Sequence, residues 1–202
     1  RHQATRCSCR MAALPYPAYN TAVAGSEGQD HVGLISEAPS GGMAQLPDGG
    51  AGSVMGEDAW RARLQAAVEA RRAKLVQYPV VDRALLLVHH ECPMRLQLDV
   101  NGDFEPAANW LPMALRSGLI SQIDELAVTM AIEAIREDQQ PRGINLSPAS
   151  LLDSGFVPRV RALLADAPDV AHRLWLEVAE TAAVERFELV RELCKQLRPL
   201  GA

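Results

Sequence analysis

The sequence lacks the features of several protein classes. No apolar run approaches the roughly 20 residues that a membrane-spanning helix needs, and the N-terminal RHQATRCSCR has no apolar core of a signal peptide. The net charge is −5, and basic residues do not cluster as they usually do on nucleic-acid-binding surfaces. These absences argue against a membrane span or a nucleic-acid-binding surface within this chain.

Cysteine is scarce as well, and its spacing is uninformative. The four cysteines are Cys7, Cys9, Cys92 and Cys194. A single C-x-C without a second pair of ligands is a weak zinc signal, and no H-E-x-x-H motif accompanies His89 and His90. We therefore expect reduced thiols and a cytoplasmic location. His89 could serve as a metal ligand, but packing or solvation at a strand end is the interpretation that we favour for both histidines.

The composition changes near residue 56. Nine of the 14 glycines lie in residues 1–56, and the stretch APSGGMAQLPDGGAGSVMG has many helix and strand breakers without a periodic apolar pattern. Residues 1–56 are therefore predicted to be a linker or the frayed end of a preceding domain. Regular patterns begin in residues 57–202, which we interpret as a separate domain.

In residues 57–202, short apolar strands alternate with longer amphipathic helices. Strands are predicted at about 74–81, 85–97, 143–147 and 174–178, and helices at 58–73, 106–117, 121–137, 156–165 and 183–198. This alternation is typical of an α/β fold built from βα units on a parallel sheet. In such folds the functional residues lie at the C-terminal ends of the strands.

Three of the predicted strands carry an acid or an amide within an otherwise apolar run. They are Glu91 in HHECPMR, Asn145 in GINLSPAS and Glu177 in LWLEVAE. A buried carboxylate is costly unless it is paired or bound to a metal, and this all-oxygen set suits Mg²⁺, Mn²⁺ or Ca²⁺. Strand alternation places Arg95 on the face of Glu91, where its guanidinium could bind a phosphate oxygen. The pattern therefore predicts a divalent metal and a phosphate ligand.

Five segments, in order, resemble the EAL domain family of cyclic-di-GMP phosphodiesterases. YPVVD resembles the family's YQPIVD, ECPMR lies where E-A-L-L-R stands, FEPAANWLPMALRSGLI resembles the segment that ends in GLI, INLSPASL resembles V-N-L-S, and LWLEVAET resembles E-L-T-E-S. The resemblance implies a partial (β/α)₈ TIM-like barrel of the EAL type. It also implies that residues 57–202 are the N-terminal part of a truncated EAL domain.

The resemblance further implies an activity and a set of site residues. A full-length parent would hydrolyse cyclic di-GMP to pGpG, using Mg²⁺ or Mn²⁺ to activate the attacking water. By position, the metal ligands are Glu91, Asn145 and Glu177, the phosphate-binding residue is Arg95, and the anchor of an active-site loop is Glu180.

Several positions depart from the family pattern. The motif glutamate is followed by Cys92 and Pro93, Tyr78 replaces a glutamine, and Ala179 replaces a threonine. The sequence stops before the family's D-D-F-G-T-G aspartates, its catalytic lysine and a further metal glutamate. We therefore expect no phosphodiesterase activity from this chain alone, together with an unpaired sheet edge that favours aggregation.

These departures keep an alternative hypothesis open. In it the domain is a degenerate EAL receptor, part of a tandem GGDEF-EAL protein, that binds cyclic di-GMP without hydrolysis and signals to a protein partner. A homodimer formed through the EAL domain is compatible with both hypotheses, and neither involves nucleic acid. An anchor of the parent to the inner membrane, through a segment outside this sequence, also stays open.

Overall fold

The structure is a computed structural model, and it describes residues 56–202. In chain order the elements are α1 (Glu57–Glu69), β1 (Ala73–Leu75), β2 (Tyr78–Val81), β3 (Leu87–Glu91), β4 (Met94–Leu96), β5 (Glu105–Pro106), α2 (Ala107–Arg116), α3 (Ile120–Asp138), β6 (Arg142–Leu146), α4 (Phe156–Ala165), β7 (Leu174–Val178), α5 (Glu180–Glu185) and α6 (Phe187–Leu197). Short 3₁₀ turns follow β6, precede β7 and follow α6. Apart from Gly56, the segment predicted to be a linker or domain end lies outside the described residues.

The main sheet has four strands in the order β2-β3-β6-β7. Strands β3, β6 and β7 are parallel, whereas β2 runs antiparallel to β3. The predicted α/β fold with parallel βα units is confirmed, and the described strands form an open, partial barrel rather than a closed one. In the described part of the chain, β7 pairs with β6 alone.

A second, smaller sheet corrects two of the predicted strands. Strands β1, β4 and β5 form this antiparallel sheet, so the apolar runs at 74–81 and 85–97 each divide between two sheets. The second run breaks at Cys92 and Pro93, because proline has no N–H to donate to a strand ladder. Alternation along one strand had predicted that Arg95 shares a face with Glu91. That prediction is wrong, because Arg95 belongs to β4 in the other sheet.

The core lies between the main sheet and the helices that connect its strands. Helix α3 carries the longest buried face, with Ile123, Val128 and Ile135 among its nearly inaccessible residues, and it packs against β6 and α4. From α4, Phe156 is fully buried in the same cluster. Because these contacts fix β6 against α3, the C-terminal end of β6 is held in place.

The C-terminal helical segment differs from its prediction. The helix predicted at 183–198 is two helices, α5 and α6, separated at Arg186, whose backbone (φ −123°, ψ 34°) is not helical. Helix α6 buries Leu193 and Leu197 against the core. Within residues 56–202, no helix combines the length and the apolar character needed to cross a membrane.

Candidate functional site

Three adjacent parallel strands bring the predicted oxygen ligands together at their C-terminal ends. Glu91 is the last residue of β3, and Asn145 and Glu177 each lie one residue before the end of their strands. Asn145 is directly opposite Glu177 in the β6–β7 register, and its Nδ2 donates a hydrogen bond of 3.1 Å to Oε1 of Glu91. We call these three residues the oxygen triad.

His89 is buried beside the oxygen triad, in contact with one of its members. Its Nε2 lies 2.8 Å from Oε1 of Glu177, and the two side chains are only 8% and 19% exposed. Its ring also stacks on that of Trp175, with the centroids 5.0 Å apart and the planes inclined by 22°. Neither ring nitrogen has a hydrogen-bond partner of good geometry, so the approach to Glu177 is a close contact rather than an aligned hydrogen bond.

Gly143 makes the contact between His89 and Glu177 possible. It lies in β6, between the strands that carry these two side chains, and it is buried. A Cβ atom at this position would lie 2.8 Å from Oε1 of Glu177 and 2.8 Å from Cδ2 of His89. A glycine inside a strand often marks a close approach of this kind, so GINLS contained a signal that sequence reasoning missed.

The environment of Glu177 opposes its ionisation. Burial raises the pKa of this carboxyl above its usual value, and the nearby Glu91 adds to the effect. The contact with His89 acts in the opposite direction and lowers the pKa. A cationic partner therefore stabilises the ionised form of this side chain.

Asp124 is a second residue that sequence reasoning missed. This buried side chain of α3 accepts hydrogen bonds at Oδ2 from the backbone N–H of Ser147 and from the hydroxyl of Ser150, both at 2.7 Å. Burial raises the pKa of Asp124 to about 6 despite these two bonds. Because Ser147 lies just beyond β6, Asp124 fixes the backbone that follows Asn145. Its signal was a single acid on the apolar face of α3.

The other two predicted site residues lie apart from the oxygen triad. Arg95 is half-buried in β4, opposite Lys74 and Pro106 in the small sheet, and Glu180 is an exposed residue at the start of α5. Within residues 56–202, no hydrogen bond or ion pair joins either side chain to the triad. The structure therefore groups three of the five predicted residues.

The chemistry of the oxygen triad suits a hard divalent ion, because carboxylate and amide oxygens are its preferred ligands. The contacts within the site compete with such an ion, since Glu91 accepts a hydrogen bond from Asn145 and Glu177 contacts His89. Among the described residues, no group of three or more His, Cys, Asp or Glu side chains is arranged to hold a metal. A metal bound through Oε1 of Glu177 would have to displace the contact with His89.

Comparison with known proteins identifies a matching family model and several solved structures of similar fold. A family model described as "EAL domain" matches residues 61–202. No curated protein matches the sequence. Among solved structures, an S helix-GGDEF-EAL fragment of LapD from Vibrio cholerae, bound to c-di-GMP, has a TM-score of 0.68 at 17% identity and covers 76% of this chain and 38% of its own.

Two further solved structures are more similar in sequence. The FimX EAL domain from Pseudomonas aeruginosa, bound to c-di-GMP, has a TM-score of 0.62 at 28% identity and covers 70% of this chain and 59% of its own. The PaMucR phosphodiesterase in complex with c-di-GMP has a TM-score of 0.62 at 25% identity and covers 71% of this chain and 60% of its own. The chain thus spans between 38% and 60% of the length of these three structures.

Proposed function

Since the chain belongs to the EAL domain family, we propose that it is part of a cyclic-di-GMP signalling module. In this proposal the full-length protein hydrolyses cyclic di-GMP to pGpG with Mg²⁺ or Mn²⁺. Members of the family generally depend on a divalent metal. The observation that carries the proposal is the meeting of Glu91, Asn145 and Glu177 at the ends of three parallel strands. The c-di-GMP bound in three solved relatives supports it.

The described residues have distinct roles in this proposal. The oxygen triad would hold the metal, which when bound neutralises phosphate charge and activates water. Arg95 would bind a phosphate oxygen of cyclic di-GMP, and Glu180 would anchor an active-site loop. The half-buried guanidinium of Arg95 has no hydrogen-bond or ion-pair partner among residues 56–202, which leaves its donors available for an anionic ligand.

A receptor that binds cyclic di-GMP without hydrolysis is the second candidate function. The observation in its favour is the contact between His89 and Glu177, which engages one of the proposed metal ligands. Such a receptor would transmit its ligand state to a protein partner. For both functions we propose a cytoplasmic module, with residues 57–202 as the N-terminal part of the EAL domain, residues 1–56 as the linker or end of a preceding GGDEF-like domain, and a homodimer as its assembly.

Calorimetric titration with cyclic di-GMP, with Mg²⁺ or Mn²⁺ and with a chelator, tests both functions on the full-length protein. Chromatography of the product separates them. Metal-dependent formation of pGpG identifies a phosphodiesterase, whereas binding without pGpG identifies a receptor. An absence of binding by the folded full-length protein, with and without metal, would contradict both.

Replacing Arg95 by alanine is expected to weaken the binding of cyclic di-GMP to the full-length protein about 10- to 100-fold. The reason is that a charge-assisted hydrogen bond to phosphate contributes about 1.5–3 kcal/mol. Arg116→Ala, which removes an exposed arginine from the last turn of α2, is the matched control and should bind as the wild type does. Equal affinities of the two variants would remove Arg95 from the proposed site.

A further inference from the structure

The imidazole of His89 is held in a defined position inside the site. One ring face stacks on Trp175, and the side chain is only 8% exposed, so few alternative rotamers are open to it. Its Nε2 faces Oε1 of Glu177 at 2.8 Å. The carboxylate of Glu177 therefore has a fixed neighbour that occupies the space on one side of it.

The backbone of β6 is adapted to the same contact. The carboxylate of Glu177 and the ring of His89 both come within 3 Å of the place where a Cβ of Gly143 would lie. The side chains thus meet over a position that only glycine leaves open. The contact consequently depends on three strands, β3, β6 and β7, and not on one flexible side chain.

The remaining members of the oxygen triad are engaged with each other. Asn145 directs its Nδ2 at Oε1 of Glu91, so the amide presents its donor group and not its oxygen to that carboxylate. A metal ion would need the oxygens of all three side chains. If it were bound through Oε1 of Glu91 and Oε1 of Glu177, it would have to break the Asn145–Glu91 hydrogen bond and separate Glu177 from His89.

We propose that His89 competes with divalent metal for Glu177 and keeps the metal affinity of this site low, so that, under the second candidate function, the site binds its anionic ligand without a metal. The identity of that ligand rests on the proposed function, but the competition between His89 and a metal does not. His89 is in this respect a positioning residue, because it acts through Glu177. The competition favours the receptor over the phosphodiesterase as the function of the site.

Titration of the full-length protein with Mn²⁺, followed by electron paramagnetic resonance of the free ion, tests the competition directly. The wild type is expected to bind Mn²⁺ weakly, and His89→Ala at least 10-fold more tightly, because the variant frees Glu177. His90→Ala is the matched control. Its side chain lies on the opposite face of β3, so its Mn²⁺ affinity should equal that of the wild type. The double variant His89→Ala/Glu177→Gln should not show the increase in Mn²⁺ affinity.

A second variant, with a substitution in the strand between them, separates the same two side chains from each other. In Gly143→Ala the new Cβ displaces His89 and Glu177 from each other, so Mn²⁺ affinity is again expected to rise. Thermal unfolding establishes that each variant is folded. A Mn²⁺ affinity of either folded variant that stays at the wild-type value, or a wild type that already binds Mn²⁺ as tightly as His89→Ala, would overturn the proposal.

Cyclic-di-GMP binding in the presence of a chelator is measured separately on the wild-type and His89→Ala forms of the full-length protein. Metal-independent binding by the wild type is the expected result, and binding that disappears with the chelator contradicts the proposal. A full-length protein that binds no cyclic di-GMP under any condition, while His89→Ala gains Mn²⁺ affinity, would contradict the proposed function and leave the competition established. The two failures are therefore distinguishable.

Discussion

Replacing Asp138 by alanine is expected to lower the free energy of unfolding by about 2–3 kcal/mol at neutral pH. The carboxylate of Asp138 accepts two hydrogen bonds, at 2.7 and 2.6 Å, from the guanidinium of Arg142. Arg142 is only 2% exposed, so its charge would lose its principal partner in a buried place. The side chain of Asp138 is 43% exposed, and water can replace part of the lost contact, which keeps the cost below that of a fully buried pair.

Chemical denaturation measures this effect, with two further variants as controls. Asp138→Ala/Arg142→Met removes both charges and should be more stable than Asp138→Ala, since no unpaired guanidinium stays buried. Glu188→Ala removes one member of an exposed ion pair with Arg191 and should change stability by less than about 0.5 kcal/mol. If Asp138→Ala costs no more than Glu188→Ala, the buried pair does not stabilise the fold.

The stability that the Asp138–Arg142 pair contributes decreases as the pH falls. The hydrogen bonds from Arg142 lower the pKa of Asp138 to about 2, below its ordinary value of 3.8. The stabilisation by the pair is therefore fully present above about pH 4 and is lost as the pH falls towards 2. The difference in stability between the wild type and Asp138→Ala should accordingly shrink over this range.

Replacing Asp124 by asparagine is expected to remove a pH dependence of the free energy of unfolding. Its sign is opposite to that of the Asp138–Arg142 pair. Burial raises the pKa of Asp124 from its ordinary value of 3.8 to about 6, so the folded protein binds this proton more tightly than the unfolded chain does. The stability that this proton contributes is complete below about pH 4 and is lost as the pH rises through 6. A difference of about two pKa units corresponds to about 3 kcal/mol.

Unfolding free energies at several pH values between 4 and 7 check this prediction. An amide oxygen can still accept from Ser147 and Ser150 but does not titrate, so Asp124→Asn should lose less stability than the wild type over this range. Asp103→Asn removes an exposed carboxylate near a turn and should retain the pH dependence of the wild type. Parallel stability curves for the wild type and Asp124→Asn would contradict the assignment.

Local patterns predicted much of the architecture. Helix α4 and strand β7 have the limits that the sequence predicted, and helix α3 differs by one residue at each end. The sequence also indicated that Glu91, Asn145 and Glu177 would meet, because polar residues near the C-terminal ends of parallel strands lie at one edge of a sheet. These predictions succeeded because each depends on periodicity or on chain direction, which are properties of short segments.

Predictions that needed the pairing of distant strands were less accurate. The runs at 74–81 and 85–97 each read as a single strand, but strand pairing distributes each of them between two sheets. Arg95 consequently lies in the small sheet, away from the face that alternation had predicted. The role of Asp124 was equally hidden, since its partners lie in the segment after β6 and only the packing of α3 brings them together.

The sequence by itself determined the family of this protein, the α/β alternation and the residues of the oxygen triad, because each is carried by a short ordered motif. Only the tertiary structure decided what those residues contact. His89 and Glu177 lie on strands that are separated by β6, and they meet because Gly143 leaves the space between them open. That contact is a property of side-chain geometry across three strands, which no local pattern specifies, and it bears directly on whether the site holds a metal.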